Sequence, residues 1–278
     1  MILKDTELSS QLTGFNKGVS SQRKKLIIIS SIVFGVIIIT LIIIIIATSF
    51  SNSKKESESG GGGEEDQHED VKVKLGEINC LYDVKSISKD TILLSNEFKK
   101  DSNFDIEIDE QIIKYSKNYR FEKTGPNNVK FILYEPLVMD FMFKDVPDLV
   151  SIEMKSDKNL EIRSMISVFE DCQSLYEIII TGFDTSKVTS MKKLFYRTSI
   201  DKIDISDLST KSVTDMSFMF ASTDITRLDT STMDTSKVVT MANMFQFCGS
   251  LETLDLSNFN TENVKDMSNM FFFLFIII

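Results

Sequence analysis

A phenylalanine recurs through the second half of this chain at a nearly constant interval, and that interval leaves few folds open. Phe143, Phe169, Phe195, Phe220, Phe245 and Phe271 are spaced by 26, 26, 25, 25 and 26 residues. Four residues before each stands a methionine: Met139, Met165, Met191, Met216, Met241 and Met267. Three residues before that Met, in five units, comes a β-branched residue: Ile162, Val188, Val213, Val238 and Val264. Five or six residues after the Phe come Leu149, Leu175, Ile200, Ile225 and Leu251. One unit of this length cannot bury its own apolar face. Neighbouring units must stack and share a core.

Two periodicities run inside each unit. Ile203-Asp204-Ile205, Leu228-Asp229-Thr230 and Leu254-Asp255-Leu256 alternate with period two, which predicts a short strand with Asp pointing out. The Val-x-x-Met-x-x-x-Phe spacing of three and four predicts one face of a short helix. The Asp-Thr-Ser runs at 184–186 and 234–236 supply residues suited to its N-cap. The predicted fold over 136–271 is an α/β solenoid, leucine-rich-repeat-like, with a parallel sheet plus short helices. Its expected core is Val188, Met191, Phe195, Val213, Met216, Phe220, Val238, Met241, Phe245, Val264, Met267 and Phe271. Asp204, Asp229 and Asp255 then stack on successive strands about 4.8 Å apart, on the open face of the sheet. Like charges at that spacing repel by about 1 kcal/mol in water. The row is either a solvated face or a candidate binding face.

The run Leu254-Asp-Leu-Ser-Asn-Phe-Asn-Thr-Glu-Asn-Val-Lys-Asp-Met-Ser-Asn-Met-Phe271 resembles the BspA-like leucine-rich repeat surface proteins of bacteria and protists. The likeness covers about 160–271. In 139–159 it is degenerate, because the Asp-Thr-Ser turn is missing there. The resemblance implies a cell-surface protein that adheres to or binds other proteins, and it brings no catalytic residues.

Upstream the chain divides by composition. Residues 1–25 are polar and end in Arg23-Lys24-Lys25, a short tail. Residues 26–50 carry no charge and are dominated by Ile. As a helix of about 1.5 Å per residue they reach roughly 37 Å, enough for a transmembrane helix. The run is long for a signal peptide and 25 residues precede it, although Ala47-Thr48-Ser49 offers small residues where cleavage would fall. Lys17, Arg23, Lys24 and Lys25 before the span, against Lys54 and Lys55 after it, predict a cytosolic N-terminus and extracellular repeats. Residues 51–70, rich in Gly, Ser and acidic residues, read as a flexible linker. In 71–135 the alternation of Val71–Leu75, Phe104–Ile108 and Asn128–Tyr134 predicts a small antiparallel β domain. Residues 272–278, Phe-Phe-Leu-Phe-Ile-Ile-Ile, stand where a polar stretch and another Leu-Asp-Leu are expected. They read as truncation or as a tail outside the native coding sequence.

Composition narrows the chemistry. His68, the only histidine, sits in the linker. Cys80, Cys172 and Cys248 form no close pair and no zinc spacing. Cys172 and Cys248 share one column three repeats apart, roughly 15 Å along the stack, too far for a disulfide. They are expected to be buried free thiols. The methionine columns read as core filler rather than a thioether metal site. No catalytic residue, metal or cofactor is assigned, and no enzyme is expected. Residues 51–278 hold 26 basic and 39 acidic residues, which opposes nucleic acid and favours cationic partners. The expected function is a membrane-anchored surface protein that binds another protein or mediates adhesion. Self-association into a structural coat is the second reading.

Overall fold

Residues 76–84 alternate without a break. Ile78, Cys80, Tyr82 and Val84 are buried, and the residues between them face partly into solvent. They form strand β1 (Gly76–Val84) of a computed structural model that describes residues 72–274. β1 pairs antiparallel on one side with β6 (Gly125–Leu133) and on the other with β8 (Leu149–Ser164). Beyond β6 lie β3 (Phe104–Ile108) and then β4 (Gln111–Ile113), also antiparallel. Beyond β8 the pairing becomes parallel, to β9 (Glu177–Asp184) and β10 (Lys202–Ile203). The sheet order is β10-β9-β8-β1-β6-β3-β4, with β7 (Leu137–Val138) paired to the far part of β8. β2 (Thr91–Ile92) and β5 (Asn118–Tyr119) form a separate ribbon. The antiparallel strands and the first repeats therefore share one sheet.

β8 makes that junction. It is long, and its parallel pairing with β9 shifts register between Lys155 and Leu160. Asn159 there has φ +51°, a left-handed conformation that Asn tolerates. Opposite, Gly182 has φ +72°, and a Cβ on it would lie 1.8 Å from the Ser156 carbonyl oxygen. No residue with a side chain fits there.

The repeats themselves correct the expected α/β fold. The described residues contain no helix; they are mainly β-sheet and turns. The Val-x-x-Met-x-x-x-Phe segment is a ribbon of tight turns. In every coil the residues two before and two after the Phe have φ near +55–60°: Lys193 and Arg197 around Phe195, Asn243 and Phe247 around Phe245. A right-handed helix has no place for such residues. The backbone hydrogen bonds explain the choice. Leu194 N–H donates to Met191 C=O within its own coil, closing a turn. Met191, Lys193, Phe195 and Arg197 N–H donate to the carbonyls of Asp215, Ser217, Met219 and Ala221 in the next coil. A helix would keep those donors for itself, and the coils would lose the bonds that stack them. The side chains still recur every three and four residues, so the sequence pattern resembles a helix.

The strand side of each coil shortens along the stack. β8 and β9 share seven paired residues, β9 and β10 two, and Arg227 and Thr253 a single parallel bridge. A second set of parallel bridges runs Ser190–Asp215–Thr240–Asp266 on the far side. Leucine-rich-repeat helices are absent from both sides.

Inside the coils the phenylalanines form a column of stacked rings. Centroids from Phe143 to Phe271 are separated by 5.9, 5.8, 5.4, 5.7 and 6.3 Å. Phe143 is closed off by the ring of Phe131 on β6, edge-on at 5.8 Å, and Ser95 N–H donates to Met142 C=O. Thr185, Thr210 and Thr235, all buried, send their hydroxyls to the carbonyls of Ser209, Asp234 and Asn260 in the next coil. The antiparallel strands thus cap the first coil, and threonines bridge those that follow.

Two further expectations are revised. The strand expected at 71–75 lies instead at 76–84, with Gly76 its first residue. The single-pass membrane placement is also not carried forward. No helix among the described residues is long and apolar enough to cross a membrane, and the span expected at 26–50 lies outside the described residues. So do the tail at 1–25, the whole linker at 51–70 with His68, and residues 275–278.

Phe195 is fully buried between two rings, whereas Phe271 is 48 % exposed. Phe195→Ala is expected to lower stability by about 3–5 kcal/mol, read as a shift of the urea midpoint. Phe271→Ala should cost less than half of that.

Candidate protein-binding face

One face of the main sheet packs on the core and the other is open. Along the open face the register sets a row of side chains across the strands. Glu107 pairs with Lys130, Lys130 with Asn79, Asn79 with Glu153, and Glu153 with Ile179. The parallel register of β9 and β10 continues the row to Asp204, and the Arg227–Thr253 bridge carries it through Asp229 to Asp255. The row changes character along its length. Glu107 is neutralised by Lys130 and Glu153 by Lys155. Ile179 is 42 % exposed, and beyond it the row is acidic.

Asp204, Asp229 and Asp255 are exposed, and the register sets them in adjacent coils. They also hold the backbone. Each carboxylate accepts the backbone N–H of the serine two residues on, Ser206, Ser231 or Ser257, at 2.9 Å. The same Asx-turn recurs at Asp184–Ser186, Asp215–Ser217, Asp234–Ser236 and Asp266–Ser268. Asp-x-Ser is therefore a recurrent corner signal of the coils from Asp184 onward, with Ser190, Thr240 and Asn260 taking the same part at other corners. Sequence reasoning missed it by reading Asp-Thr-Ser as a helix cap. Eight Asp-x-Ser triplets between 184 and 268, seven of which form the turn, were the available signal.

The serines hold these carboxyls below the usual aspartate range. For Asp204 and Asp229 the serine hydroxyl contributes most and the backbone N–H next; for Asp255 the backbone N–H leads. A slight loss of hydration opposes the effect, as does the neighbouring Asp229 charge at Asp204. The row therefore stays anionic into mild acid. Beside it, Leu228, Thr230 and Asn258 help line a shallow cavity of about 140 Å³. The Asn258 side-chain amide closes one wall by donating to the carbonyls of Thr230 and Met233.

The expected core residues fall into two groups. Val188, Met191, Phe195, Val213, Met216, Phe220, Val238, Met241 and Phe245 are buried. In the last coil Val264 is partly buried, and Met267 and Phe271 are about half exposed. Cys80, Cys172 and Cys248 are free and buried. The column shared by Cys172 and Cys248 has a reason. Cys172 Sγ donates to the carbonyl of Phe143, and Cys248 Sγ to that of Phe220. Thr198 and Thr223 in the same column donate their hydroxyls to Phe195 and Phe220. In the four middle coils the position holds a small donor; Val146 and Leu274 occupy it in the first and last. Burial pushes all three thiols up, well away from the thiolate range. No group of three His, Cys, Asp or Glu that could hold a metal ion occurs among the described residues.

Two measurements follow from this chemistry. Ellman's reagent should leave all three thiols unmodified in the native protein at pH 8 and titrate three after denaturation. Rapid labelling of a native thiol would contradict the burial. The depressed aspartate values add stability that is present above the unfolded-state value near 4 and lost as pH falls through the folded values. The urea midpoint should therefore hold from neutrality to about pH 4.5 and fall steeply below pH 4. Asp184→Asn with Asp234→Asn should flatten that fall.

Comparison with known proteins bears on the same coils. No curated protein and no solved structure matches the chain. The sequence model of the family described as "Mycoplasma protein of unknown function, DUF285" matches residues 138–231 and 200–273, the whole run of Met–Phe coils and a little under half of the chain.

Proposed function

We propose that this protein is a non-catalytic binding platform that holds a protein partner against the open face of its sheet. The observation that carries this reading is the row from Ile179 through Asp204 and Asp229 to Asp255. It is exposed, lies on stacked coils, and remains charged because each carboxylate is tied to a serine N–H. Stacked coils set side chains at fixed intervals on a rigid surface, which suits recognition of an extended partner. The net charge of −10 draws basic partners to that face. The repeat phrasing resembles BspA-like proteins, and the matched family is often found in them. That likeness supports a binding role. No histidine lies in residues 72–274, so acid–base catalysis here would fall to carboxylates, lysines or tyrosines.

The test is binding of a fluorescent lysine-rich peptide to the full chain, read by anisotropy at low and moderate salt. Asp204→Asn, Asp229→Asn and Asp255→Asn together should weaken binding at least tenfold while keeping the turns, because the Asn side-chain oxygen still accepts the serine N–H. Glu122→Gln, Asp224→Asn and Glu262→Gln remove equal charge elsewhere and should change affinity less than threefold. Equal losses in the two triple variants would reduce the effect to net charge and sink the site.

A further inference from the structure

In the antiparallel region, the β3–β4 hairpin and the segment joining β5 to β6 enclose a cavity of about 370 Å³. Part of its wall is apolar. Ile108 and Phe121 are buried there, and Ile113 packs against the same core. The Tyr119 ring, partly buried, lies edge-to-face with that of Phe121 at 4.9 Å. Asn127 also lines the cavity and is only 5 % exposed. Its side-chain amide donates to the carbonyls of Gly125 at 2.9 Å and Lys123 at 3.3 Å, which holds the turn in place. Gly125 takes φ +88° in that turn, a conformation suited to glycine. The side-chain oxygen of Asn127 accepts no hydrogen bond from a described residue. Among those residues, however, no fully enclosed side-chain nitrogen or oxygen lacks a partner. The oxygen therefore touches open space, and the open space that Asn127 borders is this cavity. Asp109, Gln111, Glu122 and Lys123 line it from the exposed side. None of these four side chains, nor the Tyr119 hydroxyl, makes an ion pair or hydrogen bond with a described residue.

We propose that this cavity binds a neutral sugar ring, a pyranose. The balance of donors and acceptors chooses the ligand. Asp109, Glu122 and the Asn127 oxygen only accept; Lys123 and the Gln111 amide N–H groups donate. An ammonium ligand leaves those donors unmet and is repelled by Lys123. An anion leaves the acceptors unmet and is repelled by both carboxylates. A hydroxyl donates and accepts, so a neutral ligand rich in hydroxyls meets both sets. The apolar wall favours a ring over an open chain. The C–H face of a pyranose covers Ile113 and Tyr119, and a ring loses less conformational freedom on binding than a linear polyol. The volume lies at the lower end of small-molecule sites, which run from about 300 to 1,000 Å³, and suits one ring with a few waters. The hydrogen bonds of Asn127 form the turn before any ligand arrives. The site is distinct from the acidic row, and the inference does not rest on the platform reading.

Saturation-transfer NMR of the full chain with the methyl pyranosides of glucose, galactose and mannose tests it. At least one should receive saturation at its ring protons, with a dissociation constant on the order of millimolar. Asp109→Gly removes a carboxylate and keeps the hairpin turn, because glycine accepts the φ of +49° found there. It should weaken binding at least fivefold. Gln111→Trp, at an exposed position, fills the cavity and should abolish binding. The Asp204→Asn, Asp229→Asn and Asp255→Asn triple should stay within twofold. A second measurement leaves the protein unaltered: the amino and 6-phosphate forms of the sugar that binds should each bind more weakly than the neutral form. No transfer at ten times the expected dissociation constant, unchanged binding in Asp109→Gly or Gln111→Trp, or tighter binding of either charged form would each overturn the proposal.

Discussion

The structure depends on where alternate backbone N–H groups of each coil are spent. On the turn side, every second one leaves its own coil and bonds to a carbonyl of the next. A chain that keeps its donors makes helices that must then find packing partners. A chain that exports half of them stacks its coils directly through the backbone, and side-chain packing follows. Tight turns with left-handed residues every four positions are the local consequence. Each such residue costs about 1 kcal/mol or more when it is not Gly, Asn or Asp. The exported bonds and the ring column offset that cost coil by coil. Lys193, Arg197, Phe218 and Phe247 are tolerated in that conformation because the neighbouring coils leave the backbone no alternative.

A stack bonded this way is polar along its length. Along the Met–Phe segment each coil offers N–H groups toward the next coil and carbonyls toward the previous one. The first coil's carbonyls need donors from elsewhere, and the antiparallel strands help supply them. Ser95 N–H reaches Met142 C=O, Phe131 closes the ring column, and β1 extends the sheet from β8. The antiparallel region therefore acts as the cap from which the parallel coils grow. Pairing is richest next to this cap, at β8–β9, and thins toward Thr253.

Function on such a scaffold is a matter of which columns point outward. The inward columns are filled by Phe, Met, Val and Ile, and the buried hydroxyls and thiols are engaged by neighbouring carbonyls. What varies between coils is the outer surface. The sheet side passes from paired charges to an acidic row, and the turn side from the ion pairs Lys193–Glu170 and Arg197–Asp171 to the exposed ring of Phe247. Two different surfaces can thus be written on one backbone without disturbing the interior, because each column changes independently of the core.

The sequence by itself determined the repeat length, the columns and their burial order, since a spacing of 25–26 residues maintained at several positions has no other economical explanation. It also determined that Cys172 and Cys248 stay unpaired, and that Asp204, Asp229 and Asp255 face outward, because alternation settles which side of a strand a residue takes. It did not determine the secondary structure between Val and Phe. Spacings of three and four residues arise equally from a helix and from successive tight turns, and side-chain periodicity cannot tell them apart. Only the tertiary structure decided that question, through hydrogen bonds to residues 24–26 positions away. The same holds for β1, whose alternating Ile78, Cys80, Tyr82 and Val84 were legible but whose central place came from pairing with both β6 and β8. Local pattern says which residues are buried. The partner of each backbone donor is a property of the stack.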